Sequence, residues 1–92
     1  MKRLDPILLV EDDFVDALTV QRALKDIEVR NELIHIENGE EALSYLRDTQ
    51  KPRPCIILLD LNMPRMNGIE FLEEAKMDAQ LRSIPIIVLT TS

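Results

Sequence analysis

Cysteine is almost missing from this chain. Cys55 is the single one in 92 residues, so no internal disulfide braces the fold, and a reducing compartment, the cytoplasm, is the expected setting. No apolar run approaches the ~20 residues of a membrane span. Met1-Lys2-Arg3-Leu4-Asp5-Pro6 is not followed by a signal-like segment, and the short run Ile7 to Val10 reads as a strand. Basic runs are absent too: 17 acidic side chains face 11 basic ones, for a formal net charge of -6. That balance excludes nucleic acid and anionic membranes as natural partners. There is no Cys/His set for zinc, and no Gly-rich phosphate loop that would hold a nucleotide. Repeats, low-complexity segments and linkers are also lacking. The length suits one small domain over residues 1–92, near the size at which a core becomes marginal.

What is present centres on Cys55 to Gly68, CIILLDLNMPRMNG. Cys55 to Leu59 is an unbroken apolar run, as expected of a strand buried on both faces, and it leads directly into Asp60. Pro64 then forbids further sheet pairing, and Asn67-Gly68 marks a turn or helix start. An earlier run, Ile7-Leu8-Leu9-Val10, likewise ends in acid, Glu11-Asp12-Asp13. Between these runs, Ala17, Val20, Leu24 and Ile27 recur on one face of a helix from Phe14 to Ile27, which Asp13 can cap. Glu32 to Glu37 reads as a charged edge strand. Asn38 followed by Glu41 has the capping pattern of a second helix with Ala42, Leu43 and Leu46 inward, and Asn67 with Glu70 repeats it before Phe71, Leu72 and Ala75. Ile84 to Leu89 reads as a last strand, with Pro85 tolerated at its beginning.

Strictly alternating strands and helices call for a parallel sheet wound by right-handed crossovers. Placing the charged second strand at the edge gives the order 2-1-3-4, with the winding reversing between the first and third strands. Glu11, Asp12 and Asp60 then meet at the carboxyl ends of neighbouring strands. Three carboxylates in one crevice repel one another unless a cation joins them, and oxygen ligands beside an open loop suit Mg2+. Mg2+ in turn suits phosphoryl transfer to a carboxylate.

These pieces, ILLVEDD, LLDLNMPRMNG and IPIIVLTTS, in this order and spacing, resemble the receiver domain of two-component response regulators along the whole chain. Their wording is most similar to the single-domain regulators associated with phytochrome-type histidine kinases. The resemblance implies a flavodoxin-like fold and a signalling domain that is not an enzyme, accepting a phosphoryl group from a phosphohistidine on a partner histidine kinase or phosphotransfer protein. It implies Asp60 as the acceptor, Asp12 as a direct Mg2+ ligand, Glu11 as a ligand through water and Asn62 as a ligand through its backbone carbonyl. Thr90 matches the switch hydroxyl. The family's fourth helix, fifth strand, fifth helix and phosphate-contacting lysine have no counterpart in these residues, so the chain reads as a receiver truncated at its C-terminus; Lys51 and Lys76 lie elsewhere in the pattern.

Two other readings follow from the same residues. One is an inactive or engineered receiver-fold fragment that self-assembles without signalling; the other is a Mg2+-dependent aspartyl phosphatase, disfavoured because Asn62 stands where that class needs a second Asp. Ordinary structural roles are expected for the remaining signals: Asp13 as a cap, His35 as a half-exposed edge residue, Cys55 as core, Met63 and Met66 as loop packing. Thr90 by itself also suits a β-branched strand residue. Finally, a fourth strand left at the sheet edge and a face covered by one helix predict a homodimer burying more than ~1,000 Å².

Overall fold

The structure, a computed structural model, describes residues 4–61 and 68–89. Within them the apolar runs and the amphipathic stretches alternate as β1 (Ile7–Val10), α1 (Phe14–Asp26), β2 (Leu33–Ile36), α2 (Gly39–Arg47), β3 (Ile56–Asp60), α3 (Gly68–Met77) and β4 (Ile86–Leu89). The four strands form one parallel sheet in the order β2-β1-β3-β4. This is the flavodoxin-like order expected from the sequence, and its winding reverses between β1 and β3.

Two-residue alternation along the central strands divides the core into two layers. Leu8, Val10, Ile57 and Leu59 pack with Ala42, Leu43, Phe71 and Ala75 on the α2 and α3 side. Ile7, Leu9 and Leu58 pack with Ala17, Val20 and Leu24 of α1 on the other. The central strands are thus apolar on both faces because helices cover both.

Local chemistry sets the helix ends. Asp13 caps α1, its Oδ1 accepting from the amides of Val15 at 2.8 Å and Asp16 at 3.2 Å, which satisfies donors that the first turn leaves open. At the other end Glu28 takes a positive φ of 63°, its amide bonds Lys25 O at 3.0 Å, and Val29 N reaches back to Leu24 O at 2.9 Å. This is a Schellman ending with glutamate where glycine is usual. The chain therefore leaves the helix at Ile27, which is 70% exposed and not part of the inward face as its spacing predicts. Asn38 caps α2 as expected, Oδ1 accepting from Glu41 N at 2.9 Å. Tyr45, also buried, donates its hydroxyl to Pro52 O at 2.8 Å.

Two further expectations need correction. Cys55 is exposed, not core: its amide bonds Pro6 O at 2.9 Å, but the side chain hangs at the amino-terminal rim of the sheet, where Pro54 is the buried neighbour. The last strand begins at Ile86 and not at Ile84, since residues 81–84 form a turn that buries Leu81 and Ile84 beneath the sheet's end. β4 forms one edge of the sheet, with Ile87 and Val88 substantially exposed.

Candidate metal centre at the ends of two strands

The pairing of Val10 with Leu59 places the residues that follow them, Glu11 and Asp60, side by side at the carboxyl ends of β1 and β3. Both are almost fully buried, at 1% and 2% exposure, whereas Asp12 is exposed. One carboxylate oxygen from each of Glu11, Asp12 and Asp60 lies within 4.8 Å of the other two. The structure therefore brings together three of the residues singled out in the sequence. Asn62 and Thr90 lie outside the described residues, as do Met63, Met66 and the Asn67 cap.

Each acid is held by backbone geometry. Glu11 N donates to Ile36 O at 3.0 Å, extending the β1–β2 ladder by one residue. The Glu11 Oε1 atom accepts from Asp13 N at 3.0 Å. Glu11 Oε2 is buried and has no hydrogen-bond partner among the described residues. Burial pushes the Glu11 carboxyl up from its ordinary 4.5 to about 7; the Asp13 amide pulls the other way, while Asp60 and Asp12 raise it further. Protonated Glu11 can donate to Asp60, which is why that neighbour favours the neutral form.

The donor set fits a small hard cation. It contains only oxygen, it carries excess negative charge, and one buried oxygen lacks a donor; a divalent ion would supply what all three features lack. Access comes from Asp12, the exposed member.

The approach of α3 shapes the same end of β3. Gly68 N donates to Leu61 O at 3.2 Å, and a Cβ at this glycine would fall 2.7 Å from the Asp60 carbonyl oxygen and closer still to Leu61 Cα. Only a residue without a side chain lets the helix start this near to Asp60. The sequence marks Gly68 as a turn glycine, and this steric reason is visible only in three dimensions.

The Glu11 carbonyl has a partner that the sequence did not suggest. His35 Nε2 lies 2.6 Å from Glu11 O, so the half-buried edge histidine is tied directly to the acidic segment. A cavity of about 610 Å³ lies elsewhere. Its lining includes Asp5, Pro6, Arg53, Cys55 and Pro85, residues that precede β1, β3 and β4, and so it lies at the amino ends of the strands, away from the acids.

Comparison with known proteins agrees with this fold. The family model described as the response regulator receiver domain matches residues 7–92. Response regulator Rcp1 of Synechocystis sp. is 44% identical over 90 residues, covering 94% of this chain and 61% of Rcp1. The chain thus spans about three fifths of that relative's length. Among solved structures, the bacteriophytochrome response regulator RtBRR superposes with a TM-score of 0.88 at 43% identity, covering 98% of this chain and 58% of that one. A Mn2+-bound form of Rcp1 gives 0.87 at 43% identity, covering 96% and 66%. The phosphorylated cyanobacterial phytochrome response regulator RcpA gives 0.86 at 42%, covering 98% and 67%. No described helix is long and apolar enough to cross a membrane. With the family model matching nearly the whole chain and the fold agreeing throughout, the protein belongs to the receiver domains of two-component response regulators.

Proposed function

We propose that residues 1–92 act as one phosphoacceptor receiver domain in which Asp60 takes a phosphoryl group from a phosphohistidine of a partner histidine kinase or phosphotransfer protein. The observation that carries this reading is the convergence of Glu11, Asp12 and Asp60 within 4.8 Å, with a buried Glu11 oxygen lacking a partner among the described residues. A Mn2+-bound relative and a phosphorylated relative are further support. An Asp60 oxygen forms the new P–O bond as the P–N bond to the partner's imidazole breaks, and that imidazole keeps the electron pair. The role of the domain is acceptance of the group, not turnover, and its setting is the cytoplasm.

Asp12, Asp60 and the Asn62 carbonyl are the proposed direct ligands of Mg2+, with Glu11 reached through water. Mg2+, when bound, offsets the charge on the phosphoryl oxygens. The chain's own contribution is orientation: β3 pairing holds Asp60 in the sheet opposite Leu89, and the Asp13 amide fixes one oxygen of Glu11. Thr90 is the proposed switch hydroxyl. A second copy of the chain, meeting the exposed edge of β4, is the proposed homotypic partner.

Acetyl phosphate with Mg2+, followed by intact mass, tests the reading. A phosphoryl adduct on the wild type and none on Asp60→Asn is expected. An adduct of equal yield on Asp60→Asn, or none on a wild type that binds Mg2+, would overturn it.

A further inference from the structure

We propose that His35 is a positioning residue for the cation site, acting through the carbonyl of Glu11; this rests on the metal reading given above. The register of β1 and β2 carries the inference. Ile7 N bonds Glu32 O and Glu11 N bonds Ile36 O, with Leu9 opposite His35 and Val10 opposite Ile36. In a parallel ladder of this register, the donor assigned to the Glu11 carbonyl is the amide of Asn38. Asn38, however, is where the chain turns away to cap α2. Here His35 Nε2 lies 2.6 Å from Glu11 O.

A carbonyl oxygen can only accept, so Nε2 must carry the proton. The bond is short, and it fixes the plane of the peptide that joins Glu11 to Asp12. The orientation of that peptide sets ψ of Glu11 and φ of Asp12, and so the angle between a buried acid beside Asp60 and an exposed one. One imidazole from the edge strand thus holds two of the three acids in mutual register, as an outer hydrogen bond does for ligands at other metal sites. The sequence places His35 on a strand separate from Glu11, Asp12 and Asp60. Only parallel pairing brings it two residues short of Glu11 on the same face.

The test compares His35→Met, which keeps length and loses the donor, with His35→Gln, whose amide nitrogen can stand where Nε2 does. Amide NMR titration with Mg2+ reads the affinity, and a long-range nitrogen–proton spectrum of the wild-type imidazole reads the tautomer. Expected are an Nε2–H imidazole, cation affinity weakened about fivefold in His35→Met, as the loss of one hydrogen bond implies, and affinity within about twofold of wild type in His35→Gln. Equal affinity in His35→Met and wild type, equal weakening in both variants, or an Nδ1–H imidazole would each overturn the proposal. If His35→Met does not fold, His35→Gln and the imidazole spectrum still decide. Failure of the wild type to bind Mg2+ would remove the metal reading instead, and the tautomer would still report on the bond itself.

Discussion

Replacing Glu11 by Gln should stabilise the cation-free protein at neutral pH while weakening its response to Mg2+. Glu11 is 1% exposed, and its carboxyl is pushed up from 4.5 to about 7, first by burial and then by the neighbouring acids. The folded state therefore holds a proton that the unfolded state releases between these values, and stability falls as pH rises through that window. At 1.36 kcal/mol for each tenfold change in proton affinity, the loss amounts to about 3 kcal/mol once pH exceeds 7. That is a large share of the roughly 5–15 kcal/mol that holds a domain together. Gln keeps an oxygen for the Asp13 amide and adds a donor facing Asp60, so the variant should show no such decline. Urea denaturation in chelator at pH 5 and pH 8 is the assay. Wild type and Glu11→Gln should be similar at pH 5 and diverge by up to about 3 kcal/mol at pH 8, and saturating Mg2+ should narrow or reverse the gap by stabilising wild type. A wild type equally stable at both pH values, or a variant that declines in parallel, would refute the assignment of a buried, proton-holding Glu11.

Three other outcomes are expected. Gly68→Ala sets a Cβ 2.7 Å from the Asp60 carbonyl oxygen; it should cost about 1–3 kcal/mol in urea denaturation and lower Mg2+ affinity as the end of β3 shifts, whereas a neutral result would mean that α3 relaxes freely. Glu28→Gly should raise stability by about 1 kcal/mol, because the left-handed conformation at φ 63° suits glycine better than glutamate; a loss of stability would show that Glu28 makes a contact worth more than the strain. At the sheet edge, the 49% exposed Ile87 and 38% exposed Val88 should drive self-association of the 92-residue chain, visible by light scattering during size-exclusion chromatography and suppressed in Val88→Lys. A monodisperse wild-type monomer at high micromolar concentration would remove β4 as an interface.

Most of the architecture was legible in the residues themselves. Ile7–Val10 and the run from Ile56 to Leu59 declare buried strands because a sheet covered on both faces needs apolar side chains on both. Asp13 and Asn38 declare helix starts because short polar side chains satisfy open amides locally. Alternation then leaves few windings, and acids that end two neighbouring strands must meet in any of them.

Tertiary structure alone decided how two adjacent acids differ. Nothing local says which of Glu11 and Asp12 is buried, yet one is buried with a raised pKa and the other exposed, because burial depends on what the rest of the fold brings over each side chain. The same holds for Cys55, which continues an apolar run but is exposed at the amino-terminal rim, one residue before β3 begins, and for Ile27, left outside when the Schellman ending redirects the chain. His35 is the clearest case. Nothing local relates it to Glu11, and its 2.6 Å bond to that carbonyl exists because parallel register, a property of two strands and of neither alone, sets them within reach.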